Sequence, residues 1–201
     1  MTTKEKLLAL LEDSKGTFFS GEEIARTLQV SRAAVWKAVN ALREDGYTID
    51  AATNKGYRLS PDSDILSPQG IRRFLKPEYR DLNLTVLPTA PSTNALVREK
   101  ANQGRPEGCV IVACEQTDGR GRYGRQFFSP VDSGVYLSLL LRPTAYSPQQ
   151  ATCLTAAAAA AMCQAIEAVT GQQPGIKWVN DIFLRGKKVC GILTEAAVGL
   201  E

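Results

Sequence analysis

The sequence contains no histidine. That absence removes every scheme in which an imidazole activates a serine or cysteine, and every histidine general base. The five cysteines, Cys109, Cys114, Cys153, Cys163 and Cys190, are odd in number and form no CxxC pair. This argues against a zinc site and a disulfide framework, so they read as small buried hydrophobes. No apolar run approaches the roughly 18 residues of a membrane span. The N-terminal MTTKEKLLALLED lacks the long apolar stretch and small-residue cleavage site of a signal peptide. The expectation is a cytoplasmic protein with no membrane partner. A surplus of one charge is also missing. The chain carries +3 overall, and its first 60 residues hold nine Lys/Arg against eight Asp/Glu. Bulk charge therefore predicts no polyanionic partner. Chemistry on this chain must use carboxylates, lysines, arginines, backbone dipoles or a metal held by oxygen.

What is present is clear helical patterning at the start. Leu7, Leu8, Leu10 and Leu11 give a first helix its apolar face. Ser20 followed by Glu23 predicts a capping box for a second helix, with Ile24 and Leu28 on its buried side, ending near Gln29. Ser31 caps a third, with Val35, Val39 and Leu42 inward and Gly46 just past its end. The tight interval between the second and third helices fits a helix-turn-helix. Tyr47 to Ile49 and Tyr57 to Leu59 flank Asn54-Lys55-Gly56 and predict a two-stranded wing. The polar run Ser60 to Asp64 marks a boundary, and Ser67-Pro68 opens a helix through Leu75. The resulting division is a winged helix-turn-helix over 1–60, a linker and connecting helix over 61–80, and a second domain over 81–201.

In that second domain the expected elements are a strand Leu82 to Leu87, a helix capped by Ser92 through about Gln103, a strand Cys109 to Glu115, and an apolar strand Val135 to Arg142. A helix from Pro148 to Thr170 follows, containing six successive alanines, Ala156 to Ala161, whose small side chains suit close packing on a sheet. Short strands at Ile176 to Trp178 and Ile182 to Leu184 lead through Arg185-Gly186-Lys187 into Val189 to Thr194. The fold class is α+β with a mixed sheet. No internal repeat is found.

The third helix turns Arg32, Trp36, Lys37 and Asn40 away from its apolar stripe, with Ser31 at its start and Arg43 near its end. Arginine, lysine and asparagine supply base-edge and phosphate donors. An exposed tryptophan is unusual unless it meets a partner. With Lys55 in the wing, this face predicts DNA contact; the competing reading is a three-helix packing module with a solvated polar face. One such module reads few base pairs, so two copies on a two-fold site are expected.

Gly119-Arg120-Gly121-Arg122-Tyr123-Gly124-Arg125 contains GxGxxG, but the next element is a strand rather than a helix, which argues against a dinucleotide site. Three arginines among glycines read better as a mobile cationic flap that orders on a polyanion, the alternative being a basic loop that touches only solvent. Lys177-Trp178-Val179-Asn180-Asp181 and Lys187-Lys188 put charged groups at strand ends. A lysine there suits charge developing on a transferring phosphoryl group, and Asp181 suits Mg²⁺ held through water.

Ser92-Thr93-Asn94, Gln116, GRGRYGR, KWVND and Lys187 to Leu193 occur in the order and approximate spacing of biotin–protein ligases. Ser31 to Lys37 with Lys55-Gly56-Tyr57 resembles the DNA-binding domain of the bifunctional biotin ligase/biotin operon repressors. The resemblance implies a partial class II aminoacyl-tRNA-synthetase-like ligase domain behind the winged helix. It implies a biotin site of Ser92, Thr93, Asn94, Gln116, Arg120, Gly121, Arg122, Lys188 and Gly191. Arg122, Phe127, Lys177, Asn180 and Asp181 would face ATP and Mg²⁺, with Lys188, Arg120 and Arg122 acting in catalysis. Expected partners are a biotin carboxyl carrier protein and biotin operator DNA, the chain dimerising when ligand-bound. The competing functions are a lipoate–protein ligase and a ligand-sensing regulator with an inactive ligase remnant. The family usually has proline where this chain has Val179, and tryptophan where it has Phe127. The pattern also stops before the later ligase strands, so a C-terminally truncated sequence is expected.

Overall fold

Leucines and β-branched residues at helical spacing fold the N-terminal segment into three helices, α1 (Thr3–Asp13), α2 (Gly21–Leu28) and α3 (Arg32–Glu44). The structure is a computed structural model describing residues 1–143 and 150–196. Leu7, Leu11, Ile24, Val35, Val39, Leu42 and Leu59 are almost wholly excluded from water. Truncating any of these leucines or Ile24 to alanine costs about 2–5 kcal/mol, because a close-packed interior collapses only partly around the void. The helix starts follow the sequence. Ser20 Oγ accepts from Glu23 N at 3.1 Å and Ser31 Oγ from Ala34 N at 3.2 Å. The complete capping box, however, belongs to α1: Thr2 Oγ1 accepts from Glu5 N while Glu5 Oε2 accepts from Thr2 N at 2.7 Å. At α2 the Ser20 half of the box is present.

Strands β1 (Ile49–Ala52) and β2 (Gly56–Leu59) pair antiparallel as the wing. Phe19 extends this ribbon by exchanging both backbone hydrogen bonds with Tyr57 at 2.9 Å. Gly56 is dictated twice over: its φ is +92°, and a Cβ would lie 2.0 Å from the Phe19 carbonyl oxygen.

The chain divides into two compact units, Met1–Val86 and Leu87–Glu201, so the first extends well past Ser60 to Asp64. The segment read as a linker is packed. Ile65 lies on the helical core, and helix α4 (Pro68–Arg72) packs on α1. Its cap Ser67 is buried with Glu12, Oγ to Oε1 at 3.4 Å, and Arg73 reaches the same carboxylate at 4.0 Å. A single 3₁₀ turn at Pro77–Tyr79 leads to β3 (Asn83–Leu87).

In the second unit, α5 (Thr93–Asn102) packs on an antiparallel pair, β4 (Cys109–Ala113) and β5 (Tyr136–Leu139), in register Val110 to Leu139. A parallel bridge between Ala90 and Gln116 makes the sheet mixed. Strands β6 (Gly175–Lys177), β7 (Asp181–Leu184) and β8 (Lys187–Gly191) form a second, antiparallel sheet. The Trp178–Val179 peptide between β6 and β7 is cis.

Helix α6 (Ala151–Thr170) corrects two expectations; the predicted start at Pro148 lies outside the described residues. Thr155 and Ala159 are buried and the helix touches β6 and β7, but most of the alanine run is exposed or half-exposed. Close packing on a sheet therefore holds along one narrow stripe. In addition, Cys153–Thr170 is long and apolar enough, by length and composition, to cross a membrane. Glu167 is the single charge in that stretch, and the alanines supply the apolar length that a search for large side chains passes over. The cysteine reading also changes: Cys109 is buried, Cys114, Cys163 and Cys190 are half-buried, and Cys153 is exposed.

Candidate functional site

Two clusters of polar side chains in the second unit meet at Phe127. The first lies at the start of α5. Ser92 is the N-cap, its Oγ accepting from Ala95 N at 3.4 Å. Thr93 donates to Gln116 Oε1 twice, from its backbone N at 2.8 Å and its hydroxyl at 3.1 Å. Ser138, in the middle of β5, places its hydroxyl 2.8 Å from Thr93 Oγ1 and also against Asn94 Oδ1. Asn94 uses its amide N–H groups on the Leu193 carbonyl at 3.2 Å and Glu195 Oε2 at 2.9 Å, and Glu195 pairs with Arg98. Ser92, Thr93 and Ser138 are buried, so these bonds are made away from water, where an unmade one would cost most.

The second cluster is cationic and lines a cavity of about 270 Å³ bounded by Gly121, Arg122, Phe127, Asn180, Asp181 and Lys188. Lys188 Nζ lies 2.8 Å from Asp181 Oδ1 and 5.6 Å from the centre of the Phe127 ring. Arg122 donates to Asn180 Oδ1 at 3.1 Å and stacks 5.2 Å from the Tyr123 ring centre. Asn180 in turn donates to Asp181 Oδ1 at 3.1 Å and to the Ile192 carbonyl at 3.2 Å. A Cβ on Gly191 would stand 3.0 Å from Lys188 Nζ and 3.1 Å from the Phe127 ring, so glycine there lets backbone approach both. A neighbouring cavity of about 190 Å³ is bounded by Arg122, Thr155, Val179, Asn180 and Ile192.

The arginine loop, which lines the larger cavity, is folded on itself. Gly121 N donates to Arg125 O at 2.7 Å, Arg120 and Gln126 form a bridge, and Tyr123 and Gly124 take left-handed φ values of 58° and 71°. Arg120 is held by Asp118 at 2.7 Å on the exposed side, and that hydrogen bond raises the guanidinium pKa.

Of the residues expected here, Gly121, Arg122, Phe127, Asn180, Asp181, Lys188 and Gly191 come together, and Thr93, Asn94 and Gln116 form the adjoining cluster. Arg120 and Lys177 line neither cavity; Lys177 lies over the Phe183 ring at 5.6 Å. Ser129, Ser138 and Glu195 went unread. Ser138 and Ser129 are isolated serines with no motif around them, and Glu195 joins from beyond β8. Burial raises the pKa of the half-buried Cys190 thiol, against the opposing charge of Lys188. No group of three or more Cys, Asp or Glu suited to a metal occurs among the described residues.

The first unit presents the other candidate surface. Arg32, Trp36 and Lys37 are exposed on α3, Trp36 at 58%, with Asn40 half-exposed beside them. Arg43 is exposed as well and donates through Nε and Nη2 to the Ile49 carbonyl at 3.1 and 2.7 Å, bracing α3 against the wing. Lys55 and Arg58 flank Phe18, at 6.0 and 4.7 Å from its ring centre.

A family model described as an HTH domain matches residues 3–58. Across 96% of its length the chain is 43% identical to the bifunctional ligase/repressor BirA of Bacillus spizizenii and 33% identical to that of Escherichia coli. It spans 59% and 58% of those proteins. A crystal structure of biotin protein ligase from Leishmania major in complex with biotinyl-5-AMP matches at 26% identity and a TM-score of 0.51, over 57% of this chain and 52% of that one. The model of the biotin/lipoate A/B protein ligase family matches residues 86–199, more than half of the sequence, and the chain belongs to that family.

Proposed function

We propose that this chain carries the adenylating site of a biotin–protein ligase and the DNA-reading domain of a biotin-responsive repressor. One observation supports the ligase reading most directly. Lys188, Arg122, Asn180 and Asp181 surround a single cavity, and Phe127 joins it to the Thr93–Gln116 cluster. A ligand lying across Phe127 would set a neutral polar ring at Gln116 and an anionic end at Lys188. In the first step a biotin carboxylate oxygen attacks the α-phosphorus of ATP and pyrophosphate leaves, giving biotinyl-5′-AMP. In the second a lysine amine of a biotin carboxyl carrier protein attacks the acyl carbon, AMP leaves, and the amine gives up a proton. Lys188 and Arg122 are suited to the charge that grows on the phosphoryl oxygens. Lys188 has three N–H donors, of which one meets Asp181, so others are available to a phosphoryl oxygen. Asp181, with Asn180 beside it, fits Mg²⁺ held largely by water and substrate phosphates, since one carboxylate suffices for that geometry.

Arg32, Trp36, Lys37 and Asn40 on α3, with Ser31 at its N-terminus and Lys55 in the wing, are the groups that would meet operator DNA. The active DNA-binding form would be a ligand-bound homodimer, acting in the cytoplasm. One assay weighs the biotin reading against the lipoate–protein ligase alternative. The chain is incubated with MgATP and either biotin or lipoate, and pyrophosphate release is followed. Release with biotin alone is expected. Release with lipoate alone would replace the substrate, and release with neither would leave a ligand-sensing regulator.

A further inference from the structure

The buried serine that follows the arginine loop bonds to both Gln116 and the backbone of Phe127. Ser129 is 3% exposed, and its side chain has two partners. Gln116 Nε2 donates to Ser129 Oγ at 3.1 Å, and Ser129 Oγ donates to the Phe127 carbonyl at 3.0 Å. The direction of this chain is fixed by chemistry. The Thr93 backbone N–H can only donate, so Gln116 must turn Oε1 toward it. That turns Nε2 toward Ser129, whose oxygen accepts and whose proton is left for the carbonyl. Thr93 occupies Gln116 Oε1 twice, so no acceptor capacity remains there. Of the two N–H groups on Nε2, one goes to Ser129, and the other has no partner among the described residues. The backbone beneath is fixed too. Gln116 N donates to Ser129 O at 3.0 Å and Phe127 N to Gly119 O at 2.8 Å. A Cβ on Gly119 would fall 2.4 Å from the Phe127 oxygen and 2.7 Å from Ser129 Oγ.

We infer that Ser129 is a positioning residue: with Thr93 holding Oε1, it fixes the Nε2 end of the Gln116 amide so that one N–H is presented to a ligand acceptor, and it ties that orientation to the loop backbone carrying Phe127. The ligand group this serves is a hydrogen-bond acceptor at the Gln116 end. The inference deepens the ligase reading and rests on it for the ligand. The geometry of Gln116 in the free chain stands apart from it.

The test has a ligand-free arm and a ligand arm, both on the full chain. The Gln116 side-chain amide signals are assigned in a ¹⁵N–¹H spectrum by their loss in Gln116→Ala. In the wild-type chain they should be dispersed and as rigid as the backbone. Ser129→Ala should shift the signal of the N–H that faces Ser129 and loosen Nε2, while Oε1 stays held by Thr93. Ser129→Cys, close to serine in size but a weak hydrogen-bond partner, should do the same while keeping the site filled if the alanine variant folds poorly. In the second arm, Ser129→Ala should weaken biotin binding about five- to tenfold, the scale of one buried hydrogen bond. Made in the Gln116→Ala background, the same change should have less than about a twofold effect. Unchanged amide signals in both Ser129 variants, or equal losses of affinity in both backgrounds, would overturn the assignment. If no form binds biotin, the ligase reading falls and the amide spectra still decide the role of Ser129.

Discussion

On the proposed ligase reading, Lys188 is the side chain whose surroundings change most when an anionic ligand arrives. In the free chain it is neutralised by Asp181 at 2.8 Å, rests over Phe127, and sits against the open Cα of Gly191. An arriving anion would share Lys188 with Asp181, so Lys188 contributes most where negative charge is growing. Lys188→Ala is expected to lower pyrophosphate release on the order of 10²–10³-fold, while biotin affinity falls much less. A parallel loss in both, measured by coupled assay and calorimetry, would make Lys188 a general binding group. Gly56 offers a residue test that is independent of function. Gly56→Ala should destabilise the first unit by about 2 kcal/mol or more, because the new methyl meets the Phe19 carbonyl at a positive φ. Thermal melting of residues 1–86 checks it, and an unchanged midpoint would place the wing outside the folding unit. Residues of this kind differ in how legible they are. Lys188 announces itself through a motif. Ser129 and Ser138 have ordinary neighbours in sequence, and their importance comes from Gln116 and Thr93, which lie 13 and 45 residues away.

At the scale of elements, local signals were read correctly where one residue decides the outcome. Ser20, Ser31, Ser67 and Ser92 all cap the helices they precede, and the Asn54-Lys55-Gly56 turn joins the wing strands. What escaped was set by partners distant in sequence. Helix α4 belongs with the first unit through Glu12, which lies 55 residues before Ser67. The exposure of α6 depends on how little of the chain lies against it. Helix α3 can be tested directly on DNA. Asn40→Ala should weaken binding to the specific site by about 1–3 kcal/mol, and Lys37→Ala should weaken all sequences and reduce the salt slope by about one. Anisotropy titrations at several salt concentrations separate the two, and identical behaviour of both variants would remove Asn40 from base reading. The arginine loop is tested through its grip on the intermediate. Arg122 is docked on Asn180 across the cavity, so Arg122→Gly should release biotinyl-5′-AMP faster, by about tenfold for one charge-assisted contact. A pulse–chase of bound adenylate checks this, and an unchanged off-rate would leave the loop a solvated one.

For the whole molecule, the proposed function raises the question of how ligand occupancy in one unit would alter DNA binding by the other. Each unit has its own buried residues, and the first packs Leu7, Leu11, Ile24, Val39, Leu42 and Leu59 together without help from residues beyond 86. Its near-neutral charge supplies little sequence-independent attraction, so residues 1–86 alone should bind DNA weakly and show a shallow salt dependence. Two copies on a palindromic site would add their contacts, which makes the dimerisation equilibrium the natural point of control. A ligand shifts that equilibrium only by its differential affinity for the two states. Biotinyl-5′-AMP that bound the dimer-competent form tenfold more tightly per chain would favour the dimer by about 100-fold, two factors of ten for two sites. The expected result is operator binding by the full chain that tightens with biotinyl-5′-AMP, together with weak and ligand-independent binding by residues 1–86. Sedimentation of the full chain with and without the adenylate, run beside the DNA titration, identifies the step. If operator affinity rises while the chain stays monomeric, the coupling lies within one chain and the dimer is not its route. If neither rises, α3 and the wing have no regulatory link to the adenylating site.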